Sequence, residues 1–190
     1  SAGTYVLDAG TLSVGGNQDL RVGSNGLGTF TMNGGTLDVD DELQIGYNSG
    51  ASGSTFTYTG GTILDVSNHV RIGVNNGANG ALNVNGGTFT PGSGHIYAGL
   101  NIGSTGTINV AAGAEIDTAN NRGVIVGHRG EGVMNVDGTV NAQFVRIGGE
   151  TTNAGTTPGS GIVNVSSTGR IETSGQNLDV GRFGTGVLNV

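Results

Sequence analysis

An apolar doublet closed by glycine recurs along the chain, at Gly23, Gly46, Gly73, Gly99, Gly127, Gly148 and Gly181, with intervals of 23, 27, 26, 28, 21 and 33 residues. After each doublet come a Gly-rich turn and a strand-like phrase of the form Gly-Thr-Leu-Asn-Val; the better-kept copies add Asn-Gly-Gly-Thr-Leu. A period of about 26 residues is too short for one unit to bury its own apolar face, so each copy must be one turn of a stack. Any chemistry then has to be sought on the surfaces of a solenoid.

Composition narrows the stack to strands. Gly supplies 40 of the 190 residues and Pro only 2, without a collagen triplet, while Val, Ile, Leu and Thr are abundant. Apolar residues recur in phase and only 11% of the chain is charged, which excludes a disordered chain. No window has the three-to-four residue spacing of an amphipathic helix, and no apolar run is long enough to span a bilayer or form a leader. A start at Ser1 without Met is what a processed or excised chain would have. With no Cys there are no disulfides or thiolate metal sites. A net charge of −7, with Arg as the only cation besides His, leaves no basic patch for nucleic acid or an anionic membrane, so neither partner nor membrane insertion is expected.

Aligned copies resolve three strands per turn: a (the doublet), b (the Thr-Leu-Asn-Val phrase) and c (the Thr-Leu that follows). Strand a turns inward the pairs Leu20/Val22, Leu43/Ile45, Val70/Ile72, Ile96/Ala98, Val124/Val126, Val145/Ile147 and Leu178/Val180. Strand b contributes Leu7/Ala9, Phe30/Met32, Phe56/Tyr58, Leu82/Val84, Ile108/Val110, Met134/Val136, Val163/Val165 and Leu188/Val190, and strand c adds one residue per turn, from Leu12 and Leu37 to Ile171. The expected fold is all-β: a right-handed parallel β-helix of about seven coils in a single domain, residues 1–190, roughly 34 Å long at one strand spacing per coil. The 33-residue interval predicts a loop protruding at 149–160.

The phrases running from Val22 to Leu37 and from Ile72 to Phe89, each ending in Asn-Gly-Gly-Thr before a Leu or Phe, resemble the repeat associated with type V secretion and PEP-CTERM surface proteins. More loosely, the chain is similar to autotransporter passenger domains and filamentous adhesins. The resemblance covers nearly the whole chain and implies secretion, a β-solenoid, and an adhesive or structural role at the cell surface. Ala111-Ala112-Gly113 and Ser166-Ser167-Thr168-Gly169 replace Asn-Gly-Gly in later copies.

The outward columns are the candidate sites. On strand b they are nearly uncharged and include Thr31 and Thr57 followed by Asn83, Asn109, Asn135, Asn164 and Asn189, a ladder that either satisfies itself or forms a lateral face for a neighbouring rod or a glycan. Ranks of Thr-x-Thr suited to ice occur only at Thr29/Thr31 and Thr55/Thr57. On strand a, Glu42, His69 and His95 should stand side by side with Arg71 and Tyr97 near them. That arrangement suits a solvated polar row, a divalent metal, or acid and base for β-elimination on an acidic polysaccharide. Arg146 and Asp179 should pair between coils. Asp38, Asp40 and Asp41, next to Glu42, sit at a bend where oxygens could gather around Ca²⁺, without the spacing of an EF-hand or a calcium β-roll. No catalytic residue or cofactor is assigned.

Val6-Leu7-Asp8-Ala9 near the start and Val187-Leu188-Asn189-Val190 near the end share the strand b phase, with no polar cap at either place. The expected function is therefore structural and extracellular. Subunits would stack head to tail, or the chain would form part of a longer adhesin stalk. The alternative is a polysaccharide-binding or polysaccharide-cleaving module that uses the strand a face.

Overall fold

A computed structural model describes residues 1–149 and 158–190. These form a parallel β-solenoid of about seven turns, about 26 residues apart, with one 3-10 turn at Ser49–Ala51. The b strands are Ala2–Leu7, Leu27–Met32, Ser54–Tyr58, Asn79–Val84, Thr105–Val110, Glu131–Val136, Ser160–Val165 and Thr185–Asn189, stacked in chain order in one sheet. Asn79 pairs with Thr105 and Thr105 with Glu131, which keeps the repeat in register.

The a strands Leu20–Val22, Leu43–Ile45, Val70–Ile72 and Ile96–Ala98 continue through residues 124–126 and 145–147 to Leu178–Val180. On the third face, Thr11–Val14, Thr36–Val39 and Thr62–Val66 form a separate sheet. Later c strands turn the corner and join the a sheet within Glu115–Val126 and Thr139–Ile147. Five residue steps from Thr118 to Gly123 face only two from Ala142 to Phe144. These three extra residues supply part of the difference between the 28-residue interval and the 21-residue one after it; the turns before strands b and c supply the rest. Most of the predicted loop at 149–160 lies outside the described residues.

Alternation along strand b sends every second side chain inward, and the burial of Asn79–Val84 and Thr105–Val110 follows it without exception. Phe30, Phe56, Leu82, Ile108, Met134 and Val163 form one buried column, and Met32, Tyr58, Val84, Val110 and Val136 form the other. Aromatic rings fill the early coils. Tyr5 stacks on Phe30 at 5.0 Å and Phe30 on Phe56 at 4.9 Å, while Phe89 meets Phe56 and Tyr58 edge-on at 6.2 and 5.5 Å. Strand c gives more to the core than the predicted single residue, since Val39, Val66 and Ala142 are buried as well. A bulge between Leu37 and Asp38 against Ile63 and Asp65 leaves Leu64 unpaired and 64% exposed.

The first coil departs from its predicted register by two residues. Tyr5 pairs with Phe30 and Leu7 with Met32, so the inward pair is Tyr5/Leu7 and not Leu7/Ala9. Asp8 and Ala9 follow the strand in the bend, and the outward pair is Thr4/Val6. The physical cause is the turn that follows. Thr36 N–H donates to the Gly10 carbonyl and Thr11 pairs with Thr36, so Ala9-Gly10-Thr11-Leu12 matches Gly34-Gly35-Thr36-Leu37.

Glycine closes each doublet for two reasons. Gly73 has φ +65°, which favours a residue without Cβ, and a Cβ there would lie 2.1 Å from the Thr105 carbonyl oxygen. The doublet glycines also stitch coils together: Gly46 N–H donates to Val22, Gly73 to Ile45, Gly99 to Ile72 and Gly127 to Ala98, at 2.8–3.0 Å.

Candidate functional site

Strand a carries the chain's most varied row of side chains. His69 and His95 stack with ring centroids 5.7 Å apart and planes 8° from parallel. Tyr97 lies edge-on to both, at 5.2 and 6.0 Å, and also to His128 at 5.2 Å. The two histidines are tied to the backbone of the following coil. His95 N–H donates to His69 Nδ1 and Gly123 N–H donates to His95 Nδ1, both at 3.0 Å. A ring that accepts at Nδ1 and is neutral carries its proton on Nε2, so neither ring turns a basic nitrogen outward. Burial, with Arg71 and then His95 adding to it, pushes the His69 pKa down to about 4.

Glu42 turns away from the histidines. Its carboxylate pairs with Arg71 at 2.7 Å and accepts a 2.7 Å hydrogen bond from Gln44 Nε2; Gln44 in turn accepts from Arg21 Nε at 2.9 Å. Burial raises the Glu42 pKa, opposed by Gln44 and Arg71. The predicted neighbourhood of Glu42, His69 and His95 is therefore split in two: a buried ion-pair ladder and a stacked imidazole pair. Among the described residues no three His, Asp or Glu side chains form a group that could hold a metal ion. The acidic bend is dispersed in the same way. Asp38 accepts from Ser13, Asp40 from the Gly16 N–H and Asp41 from Asn68.

Further along, Phe144 packs 5.2 Å from His95, and the Arg146 guanidinium lies 4.0 Å over the Phe144 ring. The predicted Arg146–Asp179 ion pair is present at 3.7 Å, and Asp179 also pairs with Arg182 at 3.2 Å.

On strand b the asparagine ladder is continuous and points one way. Nδ2 of Asn109, Asn135, Asn164 and Asn189 each donates to Oδ1 of the asparagine one coil earlier, beginning at Asn83, at 2.7–2.9 Å. Thr31 and Thr57 stand side by side at the head of the same column. A second ladder, absent from the sequence-based expectations, runs along a corner: Asn48 donates to Asn25, Asn75 to Asn48 and Asn101 to Asn75, at 2.9, 2.9 and 3.4 Å. Its signal was available, because each of these asparagines lies two residues after a doublet glycine.

The two end coils present apolar side chains that inner coils bury. Tyr5 is 45% exposed at one end, and Leu178 and Val180 are 38% and 46% exposed at the other, where Val190 is 95% exposed. Beneath Leu20–Val22 lies an open cavity of about 630 Å³, lined by Tyr5, Leu12, Leu20, Val22 and Phe30. Among the described residues, Gly23 is the one doublet glycine whose N–H meets no carbonyl of an earlier coil. What the geometry defines is a laddered parallel β-solenoid with open apolar ends. Compared with protein-family models, curated proteins and solved structures, the chain matches none.

Proposed function

We propose that the chain is a structural element of the cell exterior, a β-solenoid rod that stacks head to tail into a filament or forms a segment of an adhesin stalk. One observation carries this reading. Coil-to-coil asparagine ladders run along the sides of the rod, while the end coils hold unpaired parallel edges and exposed inward-facing side chains such as Tyr5 and Val180. Such edges pair with further strands. Negative-stain images of the purified chain should show rods of constant width whose length grows with protein concentration. Uniformly monomeric particles would count against the filament.

A second reading draws on the half-exposed His69, His95 and Tyr97 row, a surface on which a sugar ring could stack. Binding is the form of that reading the site supports. Elimination needs an outward base, which the Nδ1 bonds remove from both histidines. A β-solenoid is consistent with a non-enzyme. Unsaturated products released from acidic glycans would overturn the structural reading.

A further inference from the structure

We propose that the strand a row binds an acidic glycan: one uronate-bearing polysaccharide chain lies along the rod axis over His69, Tyr97 and Arg122, and Arg71 and Arg129 take its carboxylates. The proposal rests on the second reading above, glycan binding at this row, and adds the ligand's charge and direction.

Charge is unevenly spread over the rod. The chain carries −7 overall, yet residues 67–75, 93–101 and 121–129, three consecutive doublets with their flanking corners, hold Arg71, Arg122, Arg129 and all three histidines and not one Asp or Glu. Acid gathers instead on strand c, at Asp38, Asp65, Glu115, Asp117 and Glu172, where Arg170 is the one cation among the described residues. Stacking brings the three basic windows together, since Val70–Ile72 pairs with Ile96–Ala98 and Ile96–Ala98 with residues 124–126. Besides burial, Arg71, His95 and Arg122 oppose protonation of His69, so charge from three coils converges on that ring.

These cations are not used up by the fold. Arg71 gives Nη2 to Glu42, but its Nε is buried with no hydrogen-bond partner, and the Arg129 Nε is likewise buried and unpartnered. Native structures rarely leave such donors unmatched. A guanidinium fork fits the two oxygens of a carboxylate, and every cation here besides histidine is Arg. His69, neutral with its proton on Nε2, adds a donor, and Tyr97 adds a half-exposed ring and hydroxyl for a sugar.

Shape selects a slender ligand. A three-residue strand is about 10 Å long and the axes of three stacked coils span about 10 Å, a strip that one linear sugar chain covers. Half-exposed Asp65 and Asp117 on the neighbouring strand c repel a wider polyanion such as a nucleic-acid duplex.

The full chain would be titrated by anisotropy against labelled oligogalacturonate, a neutral glucan of matched length and single-stranded DNA of matched charge. Arg129→Gln removes a cation whose Nε holds no acceptor in the fold, and Arg170→Gln removes an equal charge from strand c. Urea midpoints would check that each variant folds. The proposal expects oligogalacturonate to bind, more weakly as salt is added, and the neutral glucan to bind about tenfold less tightly or worse. Arg129→Gln should lower oligogalacturonate affinity about tenfold and Arg170→Gln should leave it unchanged. An Arg129→Gln effect no larger than that of Arg170→Gln would overturn the site. Equal binding of the neutral glucan, lost in Tyr97→Leu, would overturn the charge assignment and leave the glycan reading intact, whereas no binding of either sugar would remove both. Tighter binding of DNA than of oligogalacturonate would overturn the glycan in favour of nucleic acid.

Discussion

At position 69 a histidine takes the part of a backbone carbonyl. Its Nδ1 receives the N–H of His95, and burial with Arg71 alongside keeps the ring neutral, its pKa lowered to about 4. The unfolded chain binds that proton near the ordinary histidine value of about 6.5. Between those two values the unfolded state holds more protons than the folded one. Stability from this group is therefore full above about 6.5 and is lost as pH falls toward 4. Arg71, His95, Arg122 and Asp41 are the charged or titratable groups acting on the ring, and only Asp41 favours protonation. Glu42 acts in the opposite direction, because a raised carboxyl pKa favours the fold at low pH. Urea midpoints for wild type and His69→Gln, taken between pH 7 and pH 4.5, separate the two. The wild type should lose more stability than the variant over that range, and parallel curves would refute the assignment.

A strand in this molecule is held by rungs as well as by its core face. Asn109 sits mid-ladder, donating to Asn83 and accepting from Asn135, whereas Asn189 makes a single rung. Half-exposed amide bonds contribute about 0.5–1.5 kcal/mol each, so Asn109→Ala should cost roughly twice as much as Asn189→Ala in chemical denaturation. Equal costs would mean the ladder is ornamental. These rungs also mark what could be read from the chain beforehand. The Asn83-to-Asn189 column was legible because its period matched the doublets and its neighbours were apolar. The corner ladder from Asn25 to Asn101 has the same periodic signal but lies in turns, where side-chain direction does not follow strand alternation. The first-coil register was misplaced because Val6-Leu7-Asp8-Ala9 and Val187-Leu188-Asn189-Val190 look alike; the discriminating phrase was Gly10-Thr11-Leu12. On strand a the row was legible but its chemistry was not. Spacing put Glu42 near the histidines, while the carboxylate's turn toward Arg71 depends on side-chain geometry that no column of letters contains.

As a whole the molecule is close to one-dimensional, since each coil touches mainly the coil before and after it. Stability in such a stack is the sum of coil terms and nearest-neighbour interfaces, and the end coils have one interface where inner coils have two. Amide exchange should therefore be slowest in Asn79–Val84 and Thr105–Val110, whose inward residues are fully covered, and fastest in Ala2–Leu7 and Thr185–Asn189. Hydrogen exchange followed by mass spectrometry on the purified chain reads this gradient strand by strand, and equal protection in Thr105–Val110 and Thr185–Asn189 would refute it.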